Sequence, residues 1–267
     1  MKLFYRKYGI GPPLIILHGL YGSSDNWVTI AKELGKTFTV YLPDPRNHGQ
    51  SPHYETHDYN SMRDDLYNLA ANLKLKKFFL AGHSMGGKTA ISFAIRWPEM
   101  INGLLIADIS PFTNENFKFS AYNEHLSILK AILSIDLTTI YSRGDADSIL
   151  SGTIHSDKVR SFILKNLQRT SGNNFRWKLN ASSLLNNLDN IMKGVDLLEL
   201  LNQHISGFPV IFLKGSDSDH LPAEDYRKIN KIFPAAEFIE VLNAGHWIHA
   251  DRPDEVIRSI LKLLDYS

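Results

Sequence analysis

No cysteine occurs anywhere in the 267 residues, which excludes disulfides, thiolate chemistry and cysteine-ligated metal and makes a reducing compartment acceptable. Net charge is almost as scarce. The 29 Lys and Arg stand against 28 Asp and Glu, so no broad field is built in to hold nucleic acid or an anionic bilayer, and a small-molecule partner fits better. No apolar run approaches the roughly 20 residues that span a bilayer. The opening Met1-Lys2-Leu3-Phe4-Tyr5-Arg6-Lys7-Tyr8 is too charged, and its apolar run too short, for a signal peptide. The expectation is a soluble, cytoplasmic chain with no membrane span. Eleven histidines are present, but none falls in an H-E-x-x-H or similar ligand spacing, so no metal is expected. Internal repeats and low-complexity tracts are missing too. What is there, 43% apolar and 21% charged residues, suffices for one compact domain with a full core.

Short β-rich apolar runs alternate with helical patterns, which predicts an α/β fold with a mostly parallel sheet and helices on both faces. The strands fall near Leu3–Tyr8, Leu14–Leu17, Phe38–Leu42, Phe78–Ala81, Leu104–Ile109, Val210–Leu213 and Glu237–Val241. Met62, Leu66, Leu69 and Leu73 form a helical stripe after Ser61, a candidate N-cap; Ile257, Ile260, Leu261 and Leu264 form another after Pro253, which suits a first turn. Between Phe112 and Ser206 the alternation stops, and the segment reads as several helices without a clear strand. Residues 1–111 and 207–267 then form the core, and residues 112–206 form a helical cap over the carboxyl ends of the strands, where ligands bind in open α/β sheets.

Gly82-His83-Ser84-Met85-Gly86 follows one predicted strand and precedes a predicted helix, the strand–turn–helix setting of a nucleophile elbow. There a serine sits on a strained turn, and side chains two residues away on either side would meet neighbouring backbone. Ser84 is the candidate nucleophile, and the Met85 N–H, at a helix N-terminus, can hold an oxyanion. The same residues, extended through Gly87-Lys88-Thr89, also satisfy the phosphate-binding pattern G-x-x-x-x-G-K-[ST], and Leu104-Leu105-Ile106-Ala107-Asp108 resembles a strand ending in a magnesium-binding Asp. A nucleotide site, however, has no use for two further segments. His18-Gly19-Leu20-Tyr21-Gly22 ends a strand and offers the Leu20 N–H as a second oxyanion donor. Asn243-Ala244-Gly245-His246-Trp247 follows the last strand and supplies His246, late in the chain as a general base of this kind should be. His249 is the local rival; His18, His48, His83 and His220 are others. Lys88 reads as an ordinary residue of a first helical turn.

With these motifs assembled, the sequence resembles the α/β-hydrolase superfamily, and within it the small bacterial esterases and acyl-CoA thioesterases related to animal abhydrolase-domain-11 proteins. The similarity runs through His18–Ser23, Asp44-Pro45-Arg46-Asn47-His48-Gly49-Gln50-Ser51-Pro52, Gly82–Lys88, Ala107–Pro111, Arg176–Asn180 and Gly245–Ala250. It implies a serine hydrolase that cleaves acyl esters or acyl-CoA thioesters through an acyl-enzyme, with no cofactor. It also implies a narrow apolar pocket at Leu20, Tyr21, Met85, Trp247 and Phe112, and a preference for short acyl chains. Carbon–carbon bond hydrolases, perhydrolases and non-catalytic ligand receptors share the scaffold and stay open. Arg46, Asn47 and His48 have no catalytic duty on sequence grounds; a polar network bracing their turn is the expectation.

The triad acid has two possible sources. In many relatives it follows the strand at Val210–Leu213 as G-x-x-D, but here that frame reads Gly215-Ser216-Asp217-Ser218, with Asp217 and Asp219 on either side of the fourth position. Asp108 instead ends the strand beside the elbow strand, at the edge where strand ends converge, and the related branch places its acid there. Asp108 is the preferred acid, with Asp217 and Asp219 as alternatives. A turn-capping role through Ser110-Pro111 is the plainer reading of the same aspartate.

Overall fold

The computed structural model of the protein describes residues 1–112, 115–172, 174–196, 200–201 and 203–266, with 115–118 and 266 described by their backbone. Seven strands form one sheet in the order β1-β3-β2-β4-β5-β8-β9. They are β1 (Tyr5–Tyr8), β2 (Pro13–Leu17), β3 (Thr39–Pro43), β4 (Phe78–His83), β5 (Ile101–Ala107), β8 (Val210–Gly215) and β9 (Ala236–Val241). Only β1 runs antiparallel to its neighbour. The sheet is therefore the expected one, with boundary shifts that have local causes. β5 stops at Ala107 because Asp108 turns into the left-handed region at φ 51°.

Alternate side chains of the central strands feed two separate apolar layers, as the period of two requires. Ile15, Leu17, Leu80, Leu104, Ile106 and Phe212 pack under α2 (Tyr59–Asn72) and α3 (Met85–Arg96). Leu14, Ile16, Phe79, Leu105, Ile211 and Leu213 pack on the other face, with Ile30, Ala31 and Leu34 of α1 (Val28–Leu34) and Val256 and Ile260 of the C-terminal helix (Pro253–Lys262). Pro253 opens that last helix as expected. Helix α2 starts earlier than its stripe suggested: Asp58, not Ser61, is the N-cap, and its carboxylate accepts the Ser61 N–H at 2.7 Å. Asp at this position answers an N–H that the helix itself leaves free.

The chain between β5 and β8 has its own apolar cluster, drawn from α4 (Glu115–Ser134), α5 (Arg143–Ser151), α6 (Asp157–Leu164), α7 (Ala181–Asn186) and α8 (Leu188–Lys193). It also carries a hairpin, β6 (Leu167–Arg169) with β7 (Phe175–Trp177), which corrects the strand-free expectation. Strands of three residues are too short to show a period of two. Tyr21, from the core, is buried in this cluster, and Tyr59 of α2 donates its hydroxyl to the Ile191 carbonyl at 2.9 Å.

The elbow is the tightest point of the packing. A Cβ on Gly82 would lie 2.3 Å from the Gly86 carbonyl oxygen, and one on Gly86 would lie 2.4 Å from that of Leu17 and 2.6 Å from that of His18. These are backbone atoms of α3 and of the end of β2, and they cannot step aside. Gly86→Ala is expected to cost about 1–3 kcal/mol through overpacking, lowering the thermal midpoint by up to about ten degrees. An unchanged melting curve would contradict this packing.

Candidate active site

Ser84 joins β4 to α3 at φ 54° and ψ −120°, a backbone that a serine holds only when its surroundings enforce it. The Ser84 N–H donates to the Ala107 carbonyl at 3.2 Å, and the Ser84 carbonyl receives the Lys88 N–H at 3.0 Å, so strand and helix both hold the turn. The hydroxyl is thereby lifted to the carboxyl edge of the sheet, 3.0 Å from His246 Nε2.

His246 lies between β9 and a short helix (Ile248–Asp251). Its Nδ1 stands 2.8 Å from Asp108 Oδ2. A carboxylate only accepts, so Nδ1 carries the proton and Nε2 is left to accept from Ser84 Oγ. The fully buried Asp108 has further donors: the Gly215 N–H reaches Oδ1 at 2.9 Å, and the Ser218 hydroxyl donates to Oδ2. Burial raises the Asp108 carboxyl, and these two donors work against it. Burial also holds the His246 imidazole neutral, below the ordinary histidine range. Asp217 and Asp219 are both exposed, Asp217 Oδ1 accepting from the Ser216 hydroxyl at 3.0 Å. The structure thus brings Ser84, His246 and Asp108 into one line and leaves the alternative aspartates outside it.

The other histidines buttress this line. The His83 ring N–H reaches the His246 carbonyl at 2.7 Å, and His220 stacks on the His246 ring with centroids 3.5 Å apart and planes at 16°. His249, the local rival, stacks instead on Trp27 at 4.7 Å. His18 lies buried beside Asp44. Among the described residues no cluster of three or more His, Asp or Glu is placed to hold a metal ion.

A cavity of about 390 Å³ opens over Ser84. Leu20 and Met85 line it, and a Cβ on Gly19 would lie 3.1 Å from that of Ser84, so the Gly19 backbone passes close to the serine. Tyr21 and Trp247 also line the cavity; Trp247 packs on Phe162 at 5.1 Å. Phe112 does not. It packs beside the α2–α3 core layer under the Lys228 ammonium, because β5 ends at Ala107 and the chain turns away through Ser110, whose hydroxyl bonds Asp225 at 2.6 Å. Lys88 is no ordinary surface residue either: it is buried and lines the cavity, its ammonium 2.9 Å from where a Gly194 Cβ would sit.

Sequence reasoning missed Ser218, His125, Val159, Phe162 and Met192. Ser218 had a signal, since it stands at the fourth place of the G-x-x-D frame; what that frame could not reveal is that the serine donates to an aspartate one strand away. The others come from the inserted segment and carry no motif. A hydroxyl bonded to a buried, carboxylate-oriented imidazole, with backbone amides at hand, can perform nucleophilic acyl transfer.

Comparison with known proteins agrees with this architecture. The family model for the alpha/beta hydrolase fold matches residues 12–128. The sn-1-specific diacylglycerol lipase ABHD11 of Danio rerio is 36% identical, the match covering 96% of this chain and 79% of that protein. Esterase YbfF of Escherichia coli is 29% identical over 95% of this chain and 93% of its own length. A solved structure of a marine microorganism esterase superposes with a TM-score of 0.88 at 40% identity, covering 98% of this chain and 99% of that one. Identity at this level over nearly the whole chain, joined to the sheet order and the elbow, places the protein in the α/β-hydrolase family, among the relatives of ABHD11 and the bacterial esterases.

Proposed function

We propose that this hydrolase cleaves carboxylic esters or acyl thioesters through a covalent acyl-enzyme on Ser84. The observation that carries the proposal is the unbroken hydrogen-bond line from Ser84 Oγ through His246 to the buried Asp108. Ser84 Oγ adds to the acyl carbonyl as His246 Nε2 takes its proton, and the Leu20 and Met85 amides hold the oxyanion. The tetrahedral adduct collapses, and the leaving oxygen or sulfur departs with the proton from His246. Water then repeats the sequence on the acyl-serine, releasing the acid and restoring the hydroxyl. The imidazolium formed twice per turnover is unfavourable in a buried site, and Asp108 offsets that cost.

Residues 112–206 act as the cap in this proposal, supplying Ala121, Ile128, Val159, Phe162, Ile191 and Met192 to the cavity wall. Short acyl groups are the favoured substrates, on the support of the bulky Tyr21, Phe162 and Trp247 around the cavity. The diacylglycerol lipase and esterase named among the relatives both point to a carboxylic ester, with a thioester as the second substrate class. Balanced charge supports a small molecule rather than nucleic acid as partner, and the cysteine-free composition supports a cytoplasmic setting. Among the described residues no helix is long and apolar enough to cross a membrane.

A fluorophosphonate should label the protein at Ser84, and Ser84→Ala should abolish both labelling and turnover of p-nitrophenyl esters while the fold persists. Activity within about tenfold of the parent would overturn the nucleophile assignment. Asp108→Asn should lower kcat by as much as ~10⁴, since the amide favours the wrong imidazole tautomer; Asp217→Asn and Asp219→Asn should stay near the parent. The reverse ranking would move the acid to the later loop. Across a p-nitrophenyl ester series, kcat/KM should peak at short chains, and a maximum at long chains would remove the chain-length proposal.

A further inference from the structure

The Arg46-Asn47-His48 turn is buried, and acyl transfer as described leaves it without a task. Its surroundings give it one. The Gly22 N–H closes a turn onto the Gly19 carbonyl at 3.0 Å, with Leu20 and Tyr21 as the two central residues. Tyr21, the second of them, has φ 63°. A turn with a left-handed residue at that place is normally given glycine or asparagine, because a side chain there is strained. Left to itself, a tyrosine would favour flipping the Leu20–Tyr21 peptide, which relieves φ at Tyr21 and disturbs the backbone at Leu20, the residue assigned above as an oxyanion donor.

Two buried side chains oppose that flip. His48 Nδ1 donates to the Arg46 carbonyl at 3.0 Å, which fixes the tautomer and leaves Nε2 to accept the Tyr21 N–H at 3.3 Å. Burial, with His57 nearby, keeps His48 neutral; an imidazolium would present a proton to the Tyr21 N–H. From the inserted segment, Asn166 donates to the Tyr21 carbonyl at 2.7 Å, and the Tyr21 hydroxyl meets His125 Nδ1 at 3.1 Å. Asn47, beside His48, is pinned to the same segment: its carbonyl accepts the Asn180 N–H at 2.9 Å, and its side chain donates to Ser183 Oγ at 3.1 Å. Arg46 ties the turn to α2 through Asp65 at 2.7 Å.

We propose that His48 and Asn166 are positioning residues that clamp the two faces of Tyr21, so that the Leu20 half of the oxyanion hole is held in shape only while the inserted segment is seated on the Arg46-Asn47-His48 turn. The inference rests on the acyl-transfer reading of Ser84 and goes beyond it by naming what holds the hole.

The test measures four proteins, the parent, His48→Ala, His48→Gln and Asn166→Ala, for ester kcat and KM, affinity for an alkyl boronic acid that forms a tetrahedral serine adduct, and thermal midpoint. Loss of a whole oxyanion donor costs about 10²–10³ in rate, so a displaced donor should cost about 10–100-fold in kcat with KM nearly unchanged. Boronate affinity should fall in proportion, and His48→Gln, which keeps an acceptor within reach of Tyr21, should recover most of the loss. A residue needed only for stability would lower the midpoint and leave the boronate affinity of the folded fraction intact. Parent-like kcat in folded His48→Ala, or a lower kcat with unchanged boronate affinity, overturns the proposal. Where His48→Ala does not fold, Asn166→Ala decides by the same two readouts. A parent that is neither labelled at Ser84 nor active overturns both readings, whereas a labelled, active parent with indifferent variants overturns this one alone.

Discussion

A carboxylate with no solvent exposure has to have its charge answered within the protein, and in this fold the answer to Asp108 organises the carboxyl edge of the sheet. Leaving such a group unpaired costs several kcal/mol, more than any one apolar contact returns. Its partners come from separate elements: Gly215 at the end of β8, Ser218 in the loop beyond, and His246 after β9. Because β5, β8 and β9 are parallel neighbours, their carboxyl ends meet at one place, and a buried acid at the end of β5 draws both later loops inward. The imidazole is then aimed at Ser84 by default.

Strain gathers around the same edge. Tyr21, Asn47, Ser84, Asp108 and Asn243 all hold positive φ without being glycine, each a conformation that costs of order 1–3 kcal/mol. All five belong to the segments that carry the sequence motifs. Each is held by hydrogen bonds from elsewhere in the chain: Ser84 by Ala107, Asp108 by Leu213, Tyr21 by His48 and Asn166. The local backbone preference is sacrificed where a side chain or an amide has to face the cavity, and tertiary contacts hold the result.

The histidines fit one pattern. His48, His57, His83, His125, His220, His246 and His249 are all displaced below the ordinary imidazole value, with burial the first cause in each. Neutral imidazoles donate at one nitrogen and accept at the other, so they can bridge backbone groups inside an apolar wall without introducing charge. That accounts for many histidines in a protein with no metal-ligand spacing.

By itself the sequence determined the sheet, because strand runs and helical stripes are local periodicities, and it determined the elbow, because glycine at both flanks of a serine answers a local steric demand. It also placed His246 at the right end of the chain. The acid was half legible: Asp108 was preferred over Asp217 and Asp219 from strand adjacency and family likeness, but the proof of its burial lies in the pairing of β5 with β8. Phe112 was misplaced because the turn after Asp108, set by Ser110 and Asp225, cannot be read from apolarity. Ser218, Asn166 and the service of His48 to Tyr21 belonged to the tertiary structure alone. Asn166 and Tyr21 lie 145 residues apart and Asp108 and Ser218 lie 110 apart, and a hydrogen bond over such a separation leaves no periodicity for a sequence to show.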